Sequence, residues 1–407
     1  VKQGKPEDVL DWLKPGTRAI VQGATGEPLS FIDAFKAAPE RAANVDLWAC
    51  LVPGINTFDY GALHPQSRFT TFMASPAWSA SLADGRTQLR AMPYSGIGET
   101  LARTDFDLAI LHVSPPDDRG LCSFGVCCDV GAIVWPRARR RIAYVNASMP
   151  RLKRADAMPF EAIDLAIPVD APLIAAPFSP PSADLAAIGR HVAALIPDGA
   201  AIQSGIGQAP GAAIAALANH RRLSAHSGLI TADYRALAKA GAIDSGAANV
   251  AGIAYGDAGF YDWLAASDFA AFRSIPETHG PAGLAATPNF HSINSAIEID
   301  LSGAINIEFI AGKRVSSVGG APDYVRGAVA SRGGRSIIAL PSKARSGASR
   351  ILPALRAGET SFPAELADTI VTEHGVAELK GKSRAARAEA LIAIAAPEHR
   401  GMLAAAI

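Results

Sequence analysis

Short runs of Val, Ile and Leu recur along the whole chain, with Ala-rich segments of helical character between some of them. This alternation constrains the fold more than any single motif. The apolar runs fall at residues 18–22, 45–52, 107–113, 141–145, 201–203, 249–254, 336–340 and 368–371, and Ala-rich stretches include 212–219 and 234–242. Strands that alternate with helices need crossover connections, and crossovers produce parallel, doubly wound α/β sheets. The chain has the material for this: 407 residues, 49% of them hydrophobic and 19% charged, which excludes a disordered polymer. At roughly 150 residues per domain, the length suggests two or three domains.

Charge removes other classes. Lys plus Arg is 38 and Asp plus Glu is 38, so the net charge is +0. A general nucleic-acid binder needs a basic surplus to meet phosphates, so no nucleic-acid partner is expected. Mean hydropathy is slightly positive, yet the best candidate for a spanning helix, residues 193–218, is interrupted by Pro197, Asp198, Gly205, Gly207 and Pro210. A span needs about 20 mostly apolar residues, so no membrane partner is expected either. Four cysteines (Cys50, Cys122, Cys127, Cys128) are too few for a disulfide scaffold in a chain of this length, and reduced thiols in the cytoplasm are the expectation. A homodimer is the default for a soluble enzyme.

A stretch with Pro172, Pro177, Pro180 and Pro181 shows little periodicity and reads as a linker. It divides the chain into an N-terminal domain, 1–178, and a C-terminal domain, 179–407. One segment breaks the α/β rhythm. Residues 293–310 read I-N-S-A-I-E-I-D-L-S-G-A-I-N-I-E-F-I, two alternating runs about Ser302 and Gly303, which suggests a two-residue hairpin turn. Period two then puts Asn294, Ala296, Glu298 and Asp300 on one face.

Several motifs carry possible chemistry. The turn G-I-G-Q-A-P-G at 205–211 follows an apolar strand and precedes an Ala-rich helix. Glycines allow close backbone approach and a helix amino end favours anions, but Pro210 occupies the third glycine position of a dinucleotide fingerprint. Taken alone, a tight structural turn is the favoured reading. The run V-G-G-A-P-D-Y at 318–324 reads equally as an amide nest for pantetheine or phosphate and as a crossover turn. Gly381-Lys382-Ser383 resembles the end of a P-loop, but Val376 stands where the motif's first glycine belongs, which excludes a nucleotide triphosphatase. Cys122 and Cys127 have the spacing of a zinc half-site, and His220 and His226 form the matching histidine pair. The two pairs lie too far apart for a finger, so structural thiols are expected and no metal site. No G-x-S-x-G or H-E-x-x-H occurs. His226, His291 and His374 are expected near Gly- or Ser-containing turns, and lone histidines are usually structural. Glu298, central in its run, reads by itself as a solvated strand carboxylate.

Seven runs in order carry a resemblance. They are V-S-P-P-D-D-R-G-L-C-S-F-G (113–125), V-N-A-S-M-P (145–150), Q-S-G-I-G-Q-A-P (203–210), N-S-A-I-E-I-D-L-S-G (294–303), V-G-G-A-P-D-Y-V-R-G-A (318–328), S-I-I-A-L-P-S (336–342) and V-T-E-H-G-V-A-E-L-K-G-K (371–382). Together they span most of the chain. Their order resembles the acetyl-CoA hydrolase/transferase family of family I coenzyme A transferases, which includes acetate, succinate, butyrate and 4-hydroxybutyrate CoA-transferases.

The resemblance implies two tandem, doubly wound α/β domains with the active site between them. It implies exchange of CoA between a short acyl-CoA, such as acetyl-CoA, and a carboxylic acid, with CoA as substrate and no bound cofactor. A glutamate is the nucleophile. In acetate CoA-transferase-like members it lies in the N-[ST]-A-[LI]-E strand, which maps onto Glu298. Some 4-hydroxybutyrate-type members carry it in I-H-[ST]-E, where this chain has Ala225-His226-Ser227-Gly228, with Gly228 at the glutamate's place. The resemblance also implies CoA contacts at Gly205 and Gly207, and at Gly319, Gly320 and Asp323 of a G-G-x-x-D-F-like element in which Tyr324 replaces Phe. It implies acid-binding roles for Gly23, in the G-A-T-G-E-P turn, and for Asn294. Gly375 is a candidate oxyanion donor, and His374 replaces a more usual Tyr. An acyl-CoA hydrolase and a non-catalytic CoA-binding protein are the rival readings on the same scaffold.

Overall fold

Each expected strand run is a strand, and the hydrogen-bonding partners of the strands explain why the runs are so apolar. The computed structural model describes residues 1–176, 180–245 and 249–407. The chain forms two units, Val1–Pro177 with Val250–Thr278, and Phe178–Asn249 with His279–Ile407. The segment 250–278 thus groups with the N-terminal part, where a linear division at 178/179 would leave it with the C-terminal part. Its strands Val250–Tyr255 and Ala271–Phe272 bridge to Cys127 and Ala155, and Cys128 donates its N–H to the Gly252 carbonyl at 2.9 Å. The 178/179 junction itself lies outside the described residues.

In the first unit the sheet strands are β1 (Lys2–Gln3), β2 (Arg18–Val21), β3 (Asp46–Ala49), β4 (Arg68–Thr71), β5 (Thr87–Leu89), β6 (Leu108–Val113), β7 (Arg140–Asn146) and β8 (Leu165–Val169). They lie in the order β1-β8-β7-β6-β2-β3-β4-β5, all parallel. Every residue of β6 is buried, as expected of a central strand covered on both faces. Ala19, Val21, Leu47, Ile110, Ile142 and Ile167 join Phe31 and Phe35 of helix α1 (Leu29–Ala37) in one core cluster.

The strand order reverses between β2 and β6. Ligands of open α/β sheets bind outside the carboxyl ends of strands at such switch points. Here the G-A-T-G-E-P turn leaves β2. It is drawn in tightly: a Cβ on Gly23 would lie 2.1 Å from the Cys50 carbonyl oxygen, and one on Gly26 would lie 2.5 Å from Gln22 Nε2. Glu27 ends the turn with its carboxyl buried, accepting hydrogen bonds from Asn56 Nδ2 at 2.8 Å and from the Tyr60 hydroxyl at 3.0 Å. Burial pushes this carboxyl up from its ordinary 4.5 to about 7, against the opposing effect of those hydrogen bonds and of Lys36.

In the second unit the strands are β9 (Ala201–Ser204), β10 (Ser224–Thr231), β11 (Phe290–Asn294), β12 (Glu298–Asp300), β13 (Ile305–Asn306), β14 (Arg335–Ala339), β15 (Ile351–Leu352), β16 (Thr369–Thr372) and β17 (Gly375–Glu378). A parallel run β10-β9-β11-β14-β16 ends in the antiparallel edge strand β17. Again the order reverses, between β9 and β11. Strands β13, β12 and β15 form a separate small sheet in that order. His226 and His291, expected near turns, lie inside β10 and β11 instead.

Two glycines of this unit close on a buried imidazole. A Cβ on Gly228 would meet His279 Cε1 at 2.4 Å and the Tyr324 hydroxyl at 2.9 Å, and one on Gly320 would meet His279 Nε2 at 2.5 Å. Burial lowers the His279 pKa to about 3, so the ring is neutral. Among the described residues no helix is long and apolar enough to cross a membrane.

Two outcomes follow from this packing. Between pH 4.5 and 7 the folded protein holds a proton on Glu27 that the unfolded chain has released, so stability falls as pH rises through that window and levels off above it. Glu27→Gln should remove about 3 kcal/mol of this pH dependence, seen as a flatter melting temperature between pH 4.5 and 7.5; an unchanged slope would show that Glu27 is ionised throughout. Gly228→Ala should cost about 1–3 kcal/mol by overpacking, read as a lower urea midpoint.

Candidate active site

Glu298 is placed by the small sheet. In the β12–β13 pair Ile299 lies opposite Ile305 and Glu298 opposite Asn306. In the β12–β15 pair Ile299 lies opposite Ile351, so Arg350, one residue earlier in the same parallel register, lies beside Glu298. Successive strand residues point to opposite faces. The row Ile305–Ile299–Ile351 is almost wholly buried and belongs to the unit's main core cluster. The alternate row, Asn306–Glu298–Arg350, therefore stands on the opposite face, with Glu298 and Arg350 half-buried.

Asn306 holds the carboxylate. Its Nδ2 donates to Glu298 Oε2 at 3.2 Å and to the Phe309 carbonyl at 2.9 Å, and its Oδ1 accepts from the N–H groups of Glu308 and Phe309 at 3.0 and 2.9 Å. With both ends of the amide engaged and no surface exposed, Asn306 presents its donor to Glu298 in one orientation. Arg350 Nη1 reaches the Ala296 carbonyl at 3.5 Å. Burial lowers the Arg350 pKa, while the fields of Glu298 and Glu373 oppose that shift. Glu373 is itself engaged, accepting from the Ser342 N–H at 2.9 Å and hydroxyl at 2.5 Å, with His374 Nε2 at 3.6 Å.

The hairpin differs from the sequence expectation. The chain leaves β11 after Asn294 and re-enters extended structure only at Glu298, so Asn294 does not share the Glu298 face. The turn after β12 also spans three residues, Leu301, Ser302 and Gly303, rather than two: Asp300 N–H donates to the Ala304 carbonyl at 3.0 Å, and Gly303 N–H to the Asp300 carbonyl at 2.9 Å. Gly303 takes φ +94°, the left-handed position of a three-residue turn. Asp300 directs this geometry, since its Oδ1 accepts from Ser302 N–H, Ser302 Oγ and Ala304 N–H at 2.9, 2.6 and 3.1 Å.

Asn294 belongs with the Gly205 turn. At the switch point its Oδ1 accepts from Gln203 Nε2 at 3.2 Å, while its Nδ2 donates to Gln203 Oε1 at 3.1 Å. A Cβ on Gly205 would lie 2.7 Å from Asn294 Oδ1. Gly207, at φ +142°, leads into helix α2 (Gln208–Ala215). Pro210 falls within the first turn of α2, where a backbone N–H has no helical partner, so the departure from the fingerprint costs the helix nothing. Ile206 stands 52% exposed between the two glycines.

Gly319 and Gly320 form the turn into helix α3 (Ala321–Ala330), with Gly319 at φ +54°, and Asp323 is buried in the first turn of that helix. The contact of Gly320 with His279 is by itself a structural reason for that glycine. Gly375 opens β17 at φ +140°, directly after the Glu373-His374 turn, opposite Thr372. Gly23 lies at the switch point of the first unit. An open depression of about 470 Å³ lies near His291, Arg335 and Pro197, at the amino ends of β11 and β14 and so away from the carboxyl ends at the switch point.

The remaining motifs make contacts within the fold. All four cysteines are free and buried. Cys127 Sγ donates to Asp129 Oδ1 at 3.2 Å and the Tyr94 hydroxyl to Asp129 Oδ2 at 2.5 Å, with burial raising both the thiol and the carboxyl. Among the described residues no group of three His, Cys, Asp or Glu side chains is placed to hold a metal. Ser383, from the P-loop-like run, caps a helix through the Ala386 N–H at 3.3 Å. Sequence reasoning did not single out Asn306, Arg350, Ser342 or Glu373. Ser342 and Glu373 sat inside the matching runs, whereas nothing local marked Asn306 or Arg350.

Similarity to known proteins identifies the family. The acetyl-CoA hydrolase/transferase C-terminal domain model matches residues 256–407. The chain is 32% identical to the 4-hydroxybutyrate coenzyme A transferase of Clostridium kluyveri, over 98% of this chain and 95% of that protein. It is 33% identical to the butyryl-CoA:acetate CoA-transferase of Anaerostipes caccae, over 73% of this chain and 70% of that protein. The crystal structure of RipA from Yersinia pestis superposes with a TM-score of 0.91 at 28% identity, covering 100% of this chain and 96% of that one. The 4-hydroxybutyrate CoA-transferase of Porphyromonas gingivalis gives a TM-score of 0.81 at 28% identity, covering 99% and 96%. With its seven ordered motifs, two doubly wound sheets and these relatives, the chain is an enzyme of the acetyl-CoA hydrolase/transferase family of coenzyme A transferases.

Proposed function

We propose that this protein moves CoA between a short acyl-CoA, such as acetyl-CoA, and a carboxylic acid, with Glu298 as the nucleophile. The observation that carries this reading is the row Asn306–Glu298–Arg350: a carboxylate fixed by a buried amide on one side and set beside a guanidinium on the other. Gly228 supports it. The alternative glutamate position of the family falls there, and the site has no room even for a Cβ against His279.

The ionised Glu298 attacks the thioester carbonyl, the C–S bond breaks, and CoA leaves as thiolate. The thiolate then attacks the glutamyl carbonyl of the mixed anhydride, forming glutamyl-CoA and releasing the first acid. A second acid reverses these steps. The backbone N–H groups of Gly375 and of the Gly319-Gly320 turn are the candidate donors to the oxyanions, and removing such a donor costs about 2.7–4 kcal/mol of transition-state stabilisation in other enzymes. The Gly205–Gly207 turn, with the amino end of α2, and the Gly319, Gly320 and Asp323 turn are the proposed CoA contacts. Gly23 and Asn294 are assigned to the acid. CoA is the substrate, and the scheme calls on no other cofactor.

Glu298→Ala should lower exchange at least about a thousandfold while leaving folding and CoA binding unchanged; near-normal turnover would remove Glu298 from the role. Borohydride or hydroxylamine added after acyl-CoA should modify Glu298 and no other residue, as read by peptide mass mapping. Asn306→Ala should lower turnover about a hundredfold by releasing the carboxylate from its fixed geometry. Initial rates should follow a ping-pong pattern, whereas acid-independent thioester loss at a comparable rate would assign hydrolysis.

A further inference from the structure

Arg350 has more hydrogen-bonding capacity than its surroundings use. A guanidinium carries five N–H donors in a planar fork. Among the described residues this one makes a single long contact, 3.5 Å to the Ala296 carbonyl, and no carboxylate lies within ion-pair distance of it. The two acidic groups whose fields it feels are otherwise engaged. Glu298 is hydrogen-bonded to Asn306 on the far strand, and Glu373 is taken by both donors of Ser342 and by His374. A half-buried cation with idle donors, adjacent in register to the reactive carboxylate, is a cradle for a further planar anion.

The chemistry at Glu298 requires such an anion. We infer that Arg350 binds the carboxylate of the free acid substrate beside Glu298, through the guanidinium fork. This rests on the reading of Glu298 as nucleophile. In glutamyl-CoA the Glu298 side chain is a neutral thioester, so Arg350 loses the field of one neighbouring negative charge as the acid arrives with another. The acid oxygen forms a bond to the glutamyl carbonyl carbon, the C–S bond breaks, and the electron pair leaves with the CoA thiolate. A bidentate contact holds the acid's plane and leaves a lone pair facing that carbon. The contact recognises the carboxylate and not the chain behind it, so selection among acyl groups is made by other residues.

The test compares wild type with Arg350→Gln and Arg350→Lys in initial-rate assays at saturating acetyl-CoA, using propanoate, butyrate and hexanoate as acids. Binding of free CoA is measured separately by calorimetry. Arg350→Gln should raise KM for every acid at least tenfold and by a similar factor, with the Kd for CoA within threefold of wild type; Arg350→Lys should recover part of the loss. Equal weakening of acid and CoA, or unchanged acid KM, overturns the assignment and leaves Arg350 a purely structural partner of the Ala296 carbonyl. If Arg350→Gln does not fold, the Arg350→Lys comparison decides. Failure of the nucleophile reading is seen separately, as a trapped adduct that maps away from Glu298 in the wild-type protein.

Discussion

The burial of one row of isoleucines sets the geometry on which the site depends. Ile305, Ile299 and Ile351 pair across three short strands and enter the core together. Each fully buried side chain of this size contributes about 1.5–3 kcal/mol. A slip of one residue would expose all three, because strand side chains alternate strictly. The same constraint turns Asn306, Glu298 and Arg350 to the opposite face. The proposed nucleophile, Glu298, is thereby held next to a donor and a cation by hydrophobic packing that lies on the reverse of the sheet. The orientation costs little conformational entropy at the moment of reaction, since folding has already fixed it.

The two sheets share a second device. In each, the strand order reverses at a central pair, and a glycine turn leaves the carboxyl end of one of those strands. In the first unit Gly23 passes against the Cys50 carbonyl; in the second Gly205 passes against the Asn294 amide. In both places a Cβ would collide, so glycine is required by packing whether or not a ligand approaches. Glycine in these motifs is therefore weaker evidence for binding than its place at the switch point. The buried polar groups nearby obey the usual rule that such groups find partners. Glu27 is met by Asn56 and Tyr60, Asp129 by Tyr94 and Cys127, and Gln203 by Asn294.

Gly228 and Gly320 show how one side chain can close an option. The neutral, buried ring of His279 fills the space that a side chain at either position would need. A glutamate at 228 would require the His279 ring and the Tyr324 hydroxyl to shift. Glu298 lies on a different sheet, with the Asn306 amide as its own support.

How much of this was legible in advance depends on the range of the interaction. Strand runs such as 107–113 and 336–340 announced themselves because a strand buried on both faces must be continuously apolar, and that property lies along the chain. The family was legible from seven ordered runs, and one of them carries the proposal for Glu298. The three-residue turn was misread as two because the decisive group, the Asp300 carboxylate, acts through hydrogen bonds that no periodicity records. Asn306 lies eight residues from Glu298, and Arg350 lies 54 from its acceptor Ala296. Alternation of apolar and polar residues by itself determined which face Glu298 could take. Only the tertiary pairing of strands decided which residues stand beside it, because lateral neighbours in a sheet are chosen by register and not by position in the chain.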